Sequence, residues 1–211
     1  ALPIGNGRMG AMVFGGVDIE HLQLNEDTLY SGYPRPLGGV DIKSSLGEVT
    51  QLLREGRYKQ ADDYVTKNWL GRSQESYQPM CDLYIESGGR GEVVNYRREL
   101  DIAHAVAKVS YERGGITYTR EIFASYPADV IVLKFRCSKA SGLELRASLK
   151  SEHPTVAVRA DGPGGLVMKG QVPALVARRS LAMLEERLET NKYPELYENG
   201  KRRNNAAPVL Y

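Results

Sequence analysis

Gly5, Gly7 and Gly10, in the stretch GNGRMGAMVFGG, have the spacing of a dinucleotide-binding loop, and Glu26 and Asp27 follow at the distance of a ribose-binding acid. Such a loop works by offering the N–H groups of a helix N-terminus to a pyrophosphate. That requires a buried strand before the glycines and a helix after them. Upstream there is only Ala1 to Ile4, where Pro3 removes a backbone donor. Downstream, Ala11 to Phe14 runs straight into Gly15-Gly16, too soon for a helix. The glycines therefore read as a turn feeding a short strand that ends in a second glycine turn, and no nucleotide cofactor is expected.

Other chemistries fail on spacing. Glycoside hydrolysis needs two carboxylates facing each other across the scissile bond. The adjacent pairs Glu26-Asp27, Asp62-Asp63 and Glu185-Glu186 cannot specify this, because neighbours point apart on a strand and diverge on a helix. His21, His104 and His153 lack metal-ligand spacing, so no metal is expected. Cys81 and Cys137 read as two free buried thiols, with a disulfide left open because sequence carries no geometry. Neither a nucleophile elbow nor a phosphate loop occurs.

The elements that would position any site are mostly strands. Ile19, Leu22 and Leu24 alternate with polar residues, and NEDTLYSGYPRPLGG (Asn25 to Gly39) reads as a long loop. Leu46, Val49, Leu52 and Leu53 predict a helix broken at Gly56, and a second follows to about Trp69. This hairpin spans about residues 43–70, and Trp69 is the aromatic expected to seat it on a sheet, with sugar stacking as the lesser alternative. From Tyr77 the chain is rich in β-branched and aromatic residues, with turns at Gly114-Gly115, Pro127 and Ala160 to Gly165. Strands joined by turns without intervening helices predict a mainly β fold, a large antiparallel β-sandwich. A helical and loop insertion is expected at about residues 173–207, with a helix from about Ala174 to Leu188. Within it, Lys201, Arg202 and Arg203 read as a solvated loop rather than a phosphate patch.

Lys plus Arg number 28 and Asp plus Glu 26, for a formal charge of +2, so charge offers no argument for nucleic acid or an anionic membrane surface. No apolar run approaches a membrane span. The chain opens on ALPIGNG without Met, and PVLY at its end reads as the start of a strand. On this reading the 211 residues form one sandwich domain, incomplete at both ends.

ALPIGNGRMGAMVFGGV followed by LQLNEDTLYSGYP resembles the N-terminal signature of glycoside hydrolase family 95, the α-L-fucosidase family. The likeness continues through LLREGRYKQADDYV, YQPMCDLYIES and the strands from Tyr96 to Leu149, while GQVPALVARR resembles an insertion of some bacterial members. Tyr30 stands where Trp is usual, Cys81 where Gly is usual and Ser87 where an aromatic is common. The resemblance implies a modular, inverting enzyme that cleaves terminal α-1,2-linked L-fucose, some relatives preferring α-L-galactosides. Its general acid and water-positioning groups lie in a helical barrel that follows the sandwich. It assigns no catalytic residue and no cofactor to this chain. The partners it implies are a fucosylated glycan and the remainder of the same polypeptide.

Candidate substrate contacts are Asn25, Glu26, Asp27 and Thr28, with Asn6 and Arg8 as supports, since together they offer the donors and acceptors that sugar hydroxyls need. The same residue types bond their own backbone in turns, which is the competing role. The rival function is a free-standing carbohydrate-binding or interaction module. Such a module concentrates aromatics on one face or loop, whereas the 13 Tyr are scattered.

Overall fold

A computed structural model describes residues 1–32, 41–70, 75–140, 142–174, 176, 180–186, 190 and 196–203. The chain divides into two compact units, Ala1–Tyr30 with Tyr77–Val172, and Ser31–Ser76 with Pro173–Tyr211.

The first unit is the β-sandwich. One sheet is built from β1 (Leu2–Gly5), β2 (Met9–Val13), β3 (Ile19–Glu26), β4 (Cys81–Ser87) and β9 (Leu145–Lys150), hydrogen-bonded in that order and antiparallel throughout. The facing sheet is a meander of β5 (Val93–Asp101), β6 (Val106–Arg113), β7 (Ile116–Ser125) and β8 (Val130–Cys137). A small hairpin joins β10 (Ala157–Ala160) to β11 (Leu166–Lys169) across the Gly-rich turn.

Two expectations change in the first thirty residues. Leu2 to Ile4 do form a strand with Gly5, because β1 lies at the sheet edge, where the donor missing at Pro3 is tolerated. The loop expected from Asn25 starts later, since β3 runs through Glu26. Gly10 lies within strand β2, opposite Gly5 of β1, and the glycine spacing serves the β1–β2 hairpin, with Gly7 at φ +94° in its turn.

The core follows from period-two alternation. On β6 every second residue, from Ala107 to Arg113, is buried, and on β7 Tyr118, Arg120 and Ile122 are buried. Ala11, Val13 and Leu22 of one sheet pack with Ala107 and Ile122 of the other, flanked by Leu24, Leu83, Leu100 and Leu133. A second cluster, Val109, Tyr111 and Tyr118, includes two stacked rings 5.1 Å apart.

Between the sheets lies an ion pair that no sequence motif announces. Glu20 on β3 is fully buried and accepts from Arg120 Nη1 on β7 at 2.9 Å. Its other oxygen accepts from the Gly15 amide at 2.7 Å. Arg120 also donates to the carbonyls of Gly16 and Val17, to Ser87 Oγ and to Tyr111 Oη, and lies over the rings of Tyr111 and Phe135. This is the satisfied state that a buried charge requires. It also pins the β2–β3 turn. There, a Cβ on Gly16 would meet the Ile19 carbonyl oxygen at 2.2 Å, so only glycine fits. A bulge in β5 between Val94 and Arg97 sends Tyr96 Oη and Arg98 Nη1 onto the carbonyls of Gly15 and Phe14.

The second unit contains α1 (Ile42–Arg54) and α2 (Tyr58–Asn68), joined through Gly56 at φ +72°. Asp41 caps α1 by accepting from the Ser44 amide. Trp69 donates to Ser45 Oγ at 2.8 Å and meets Tyr64 edge-on, so its visible work is to tie α2 to α1.

Of the helix expected from about Ala174 to Leu188, the described residues carry α3 (Leu181–Glu186), whose Leu184 packs with Leu196 and Tyr197, while Ala174 and Val176 are not helical. Lys201 and Arg202 form β13 (Lys201–Arg202), paired with β12 (Tyr197–Glu198), rather than a plain loop. Tyr197 contributes to the small core while its hydroxyl donates to Glu185, which supplies the apolar anchor that the charge run alone did not suggest. Residues 33–40 of the expected long loop, parts of the insertion and PVLY lie outside the described residues. Both cysteines are free; Cys81 is buried, but Cys137 at the end of edge strand β8 is only half-buried, not buried as expected.

Candidate functional site

Three turns meet at one end of the sandwich. The β1–β2 hairpin brings Asn6 and Arg8, the end of β3 brings Glu26 and Thr28, and the β7–β8 hairpin brings Tyr126 to Asp129. Pro127 fits the second position of the tight turn, where its fixed φ is pre-set, and the Asp129 amide closes the turn onto the Tyr126 carbonyl at 3.3 Å. Asp129 itself sits at φ +50°, a conformation that Asp tolerates better than most residues.

Asp129 ties the turns together. One of its carboxylate oxygens accepts from Arg8 Nη1 at 2.9 Å and the other from Asn6 Nδ2 at 3.2 Å. Asn6 Nδ2 also donates to the Ser125 carbonyl, and Asn6 Oδ1 accepts from the amides of Arg8 and Met9, fixing the amide orientation. Arg8 Nε donates to Glu26 Oε1 at 3.0 Å. Glu26 Oε2 accepts from the amide and the hydroxyl of Thr28 at 2.9 and 2.6 Å. The Thr28 hydroxyl, followed by Arg8, pulls the Glu26 carboxyl down to about 2 from its ordinary 4.5. The guanidinium of Arg8 is raised, chiefly by Glu26 and then by Asp129.

Four of the six residues singled out from sequence therefore converge: Asn6, Arg8, Glu26 and Thr28. Asn25 does not join them, because alternation along β3 turns it to the face opposite Glu26. Asp27 is exposed, and its amide donates to the Arg8 carbonyl. The turn-bonding role expected of Asn25, Asp27 and Thr28 is performed by the Glu26 side chain accepting from Thr28.

Sequence reading missed Asp129 and Tyr126, more than 115 positions from Asn6 and Arg8 in the chain. The only local signal was the turn SYPAD, which fixes a hairpin but not its neighbour.

Asn6, Gly7, Arg8, Tyr126 and Asp129 line an open cleft of about 450 Å³. Tyr126 is 82% exposed at its lip. An exposed ring beside fixed donors and carboxylate acceptors is chemistry suited to a saccharide, which offers a C–H face and hydroxyls. Among the residues that line the cleft, the charges of Arg8 and Asp129 cancel. That favours a neutral ligand over an ion.

The cleft sits within a chain with clear relatives. The family model described as "Glycosyl hydrolase family 65, N-terminal domain" matches residues 1–202. The Alpha-L-fucosidase 2 of Arabidopsis thaliana is 41% identical over 155 residues, 72% of this chain and 18% of that protein. The Probable alpha-fucosidase A of Aspergillus oryzae is 30% identical over 143 residues, 64% of this chain and 19% of that protein. Its Aspergillus niger counterpart is 32% identical over 152 residues, 68% of this chain and 18% of that protein. The chain thus spans about a fifth of the length of these curated relatives. The family match runs from the first edge strand through both sheets as far as Arg202, and the chain belongs to the N-terminal domains of glycosyl hydrolase family 65.

Proposed function

We propose that this chain is the non-catalytic N-terminal sandwich of an inverting exo-glycosidase, an α-L-fucosidase acting on terminal α-1,2-linked fucose. The observation that carries this reading is the 41% identity to a protein named as an α-L-fucosidase, over 72% of this chain. In this role the sandwich supports a helical barrel that supplies the general acid and the water-positioning groups. The cleft at the turns rims the substrate path: Asn6, Arg8 and Asp129 meet sugar hydroxyls, Glu26 and Thr28 hold Arg8 in place, and Tyr126 offers a stacking face. Fucose is uncharged, in keeping with the cancelling charges of Arg8 and Asp129 there.

A second reading, a self-sufficient carbohydrate-binding module, is favoured by one observation, the exposure of Tyr126 beside ready-made hydrogen-bonding groups.

One experiment separates the two. The full-length gene product, given a 2-fucosylated galactoside, should release L-fucose whose first-formed anomer, read by proton NMR, is inverted. The 211-residue chain alone should release none. Turnover by the isolated chain, or none by the full-length product, would overturn the proposal. Saturable fucoside binding without turnover by either protein would support the module reading instead.

A further inference from the structure

The opposite end of β7 carries a second cleft, and two buried arginines on neighbouring strands show why it differs from a structural pocket. Arg120 is satisfied by five acceptors. Arg113, at the end of β6, has a side chain only 8% exposed, yet its one acceptor among the described residues is Asp18, which takes Nη2 at 2.6 Å. Its Nε is buried with no hydrogen-bond partner. Leaving guanidinium donors unmet inside a protein is costly, and native structures rarely do so without a reason.

The surroundings supply one. Arg113 forms the floor of a cleft of about 290 Å³ whose lining includes Arg90, Lys139, Glu144 and Tyr118. Gly89 also lines it, and a Cβ there would press to 3.0 Å on Cδ and Nη1 of Arg113, so a side chain at this position would crowd the guanidinium. Arg90 and Lys139 are exposed at the rim.

We infer that this cleft is a binding site for a carboxylate, that of an acidic saccharide, held by the Arg113 guanidinium between Arg90 and Lys139. Three cations set against Glu144 and Asp18 leave room for one negative charge rather than two, which selects a carboxylate over sulfate or phosphate. The planar guanidinium matches a planar carboxylate, and Glu144 is placed to accept from a sugar hydroxyl. The inference does not depend on the fucosidase reading, since it concerns another cleft and a charged ligand.

The test is calorimetric titration of the chain with D-galacturonate, D-galactose and sulfate at low ionic strength. Galacturonate should bind saturably, more weakly as salt is raised, and galactose should not. Arg113→Lys keeps the charge but loses the fork and should weaken binding roughly tenfold. Because Arg113 is buried, the exposed Arg90→Ala and Lys139→Ala are measured alongside; each should weaken binding severalfold, while Lys43→Ala should not. Absence of saturable galacturonate binding, or binding unchanged in both exposed variants, would overturn the inference. Sulfate binding as tightly as galacturonate would overturn the assignment to a carboxylate.

Discussion

Glu26 shows how far hydrogen bonds can shift a half-buried carboxylate. Its hydrogen bonds to Thr28, and then its pairing with Arg8, hold its carboxyl at about 2 in the folded chain. In the unfolded chain these partners are lost and the group returns to its ordinary range. A lowered folded value means that its contribution to stability is fully present above the unfolded value of 4.5 and disappears as pH falls towards 2. The Glu26→Gln variant should therefore be less stable than the parent between pH 5 and 7, with the gap closing near pH 2 in urea unfolding. Carboxyl NMR should place the Glu26 midpoint near 2 in the parent and higher in Thr28→Val. A midpoint near 4.5 in the parent would show that the turn does not hold this carboxylate. Asp101 offers an internal comparison: Lys108, and then His104, bring it to about 2 as well, at the β5–β6 turn.

At the scale of elements, the sheets are joined through apolar packing in the middle and through ions and turns at the ends. The Glu20–Arg120 pair links β3 to β7 and holds the β2–β3 turn by three hydrogen bonds, from the Gly15 amide and to the Gly16 and Val17 carbonyls. Removing one partner strands a buried charge. Arg120→Ala should cost about 3–5 kcal/mol in denaturant unfolding, whereas the double variant Glu20→Leu/Arg120→Met should recover much of that loss. A double variant no better than the single one would mean that the turn, rather than the stranded charge, sets the cost. At the other end Asp129 joins the β1–β2 and β7–β8 turns, so that a substrate contact there would also read the alignment of the two sheets.

For the whole molecule, burial is concentrated where the two sheets face each other. Ala11, Val13, Leu22, Ala107 and Ile122 are nearly inaccessible, whereas every residue of β10 is exposed. Amide exchange should therefore be slowest in β2, β3, β6 and β7, opening only with global unfolding, and fast in the β10–β11 hairpin. Equal protection in β10 and β6 would contradict this distribution of stability. Pairings such as β4 with β9 bridge 58 to 68 positions of sequence, so closing the five-stranded sheet must await a long loop closure.

The sequence by itself determined the local grammar. Alternation in residues 106–125 specified both the strands and their buried face, because a strand shows its two sides with a period of two. Gly114-Gly115, Pro127 and Gly15-Gly16 marked the turns, because few other residues accept those backbone angles or that close approach. The resemblance in ALPIGNGRMGAMVFGGV and LQLNEDTLYSGYP pointed to a glycosidase N-terminal domain, and Asn6, Arg8, Glu26 and Thr28 could be nominated because they lie in or beside those stretches. Tertiary structure alone decided the partners. Nothing local connects Asp129 to Arg8, Arg120 to Glu20 or Arg113 to Gly89, since each pair is distant in the chain and meets only when the two sheets pack or the turns at their ends converge. The same alternation that buried Arg113 and Arg120 could not say which guanidinium would find its acceptors, because those acceptors belong to turns and strands that arrive from elsewhere in the chain.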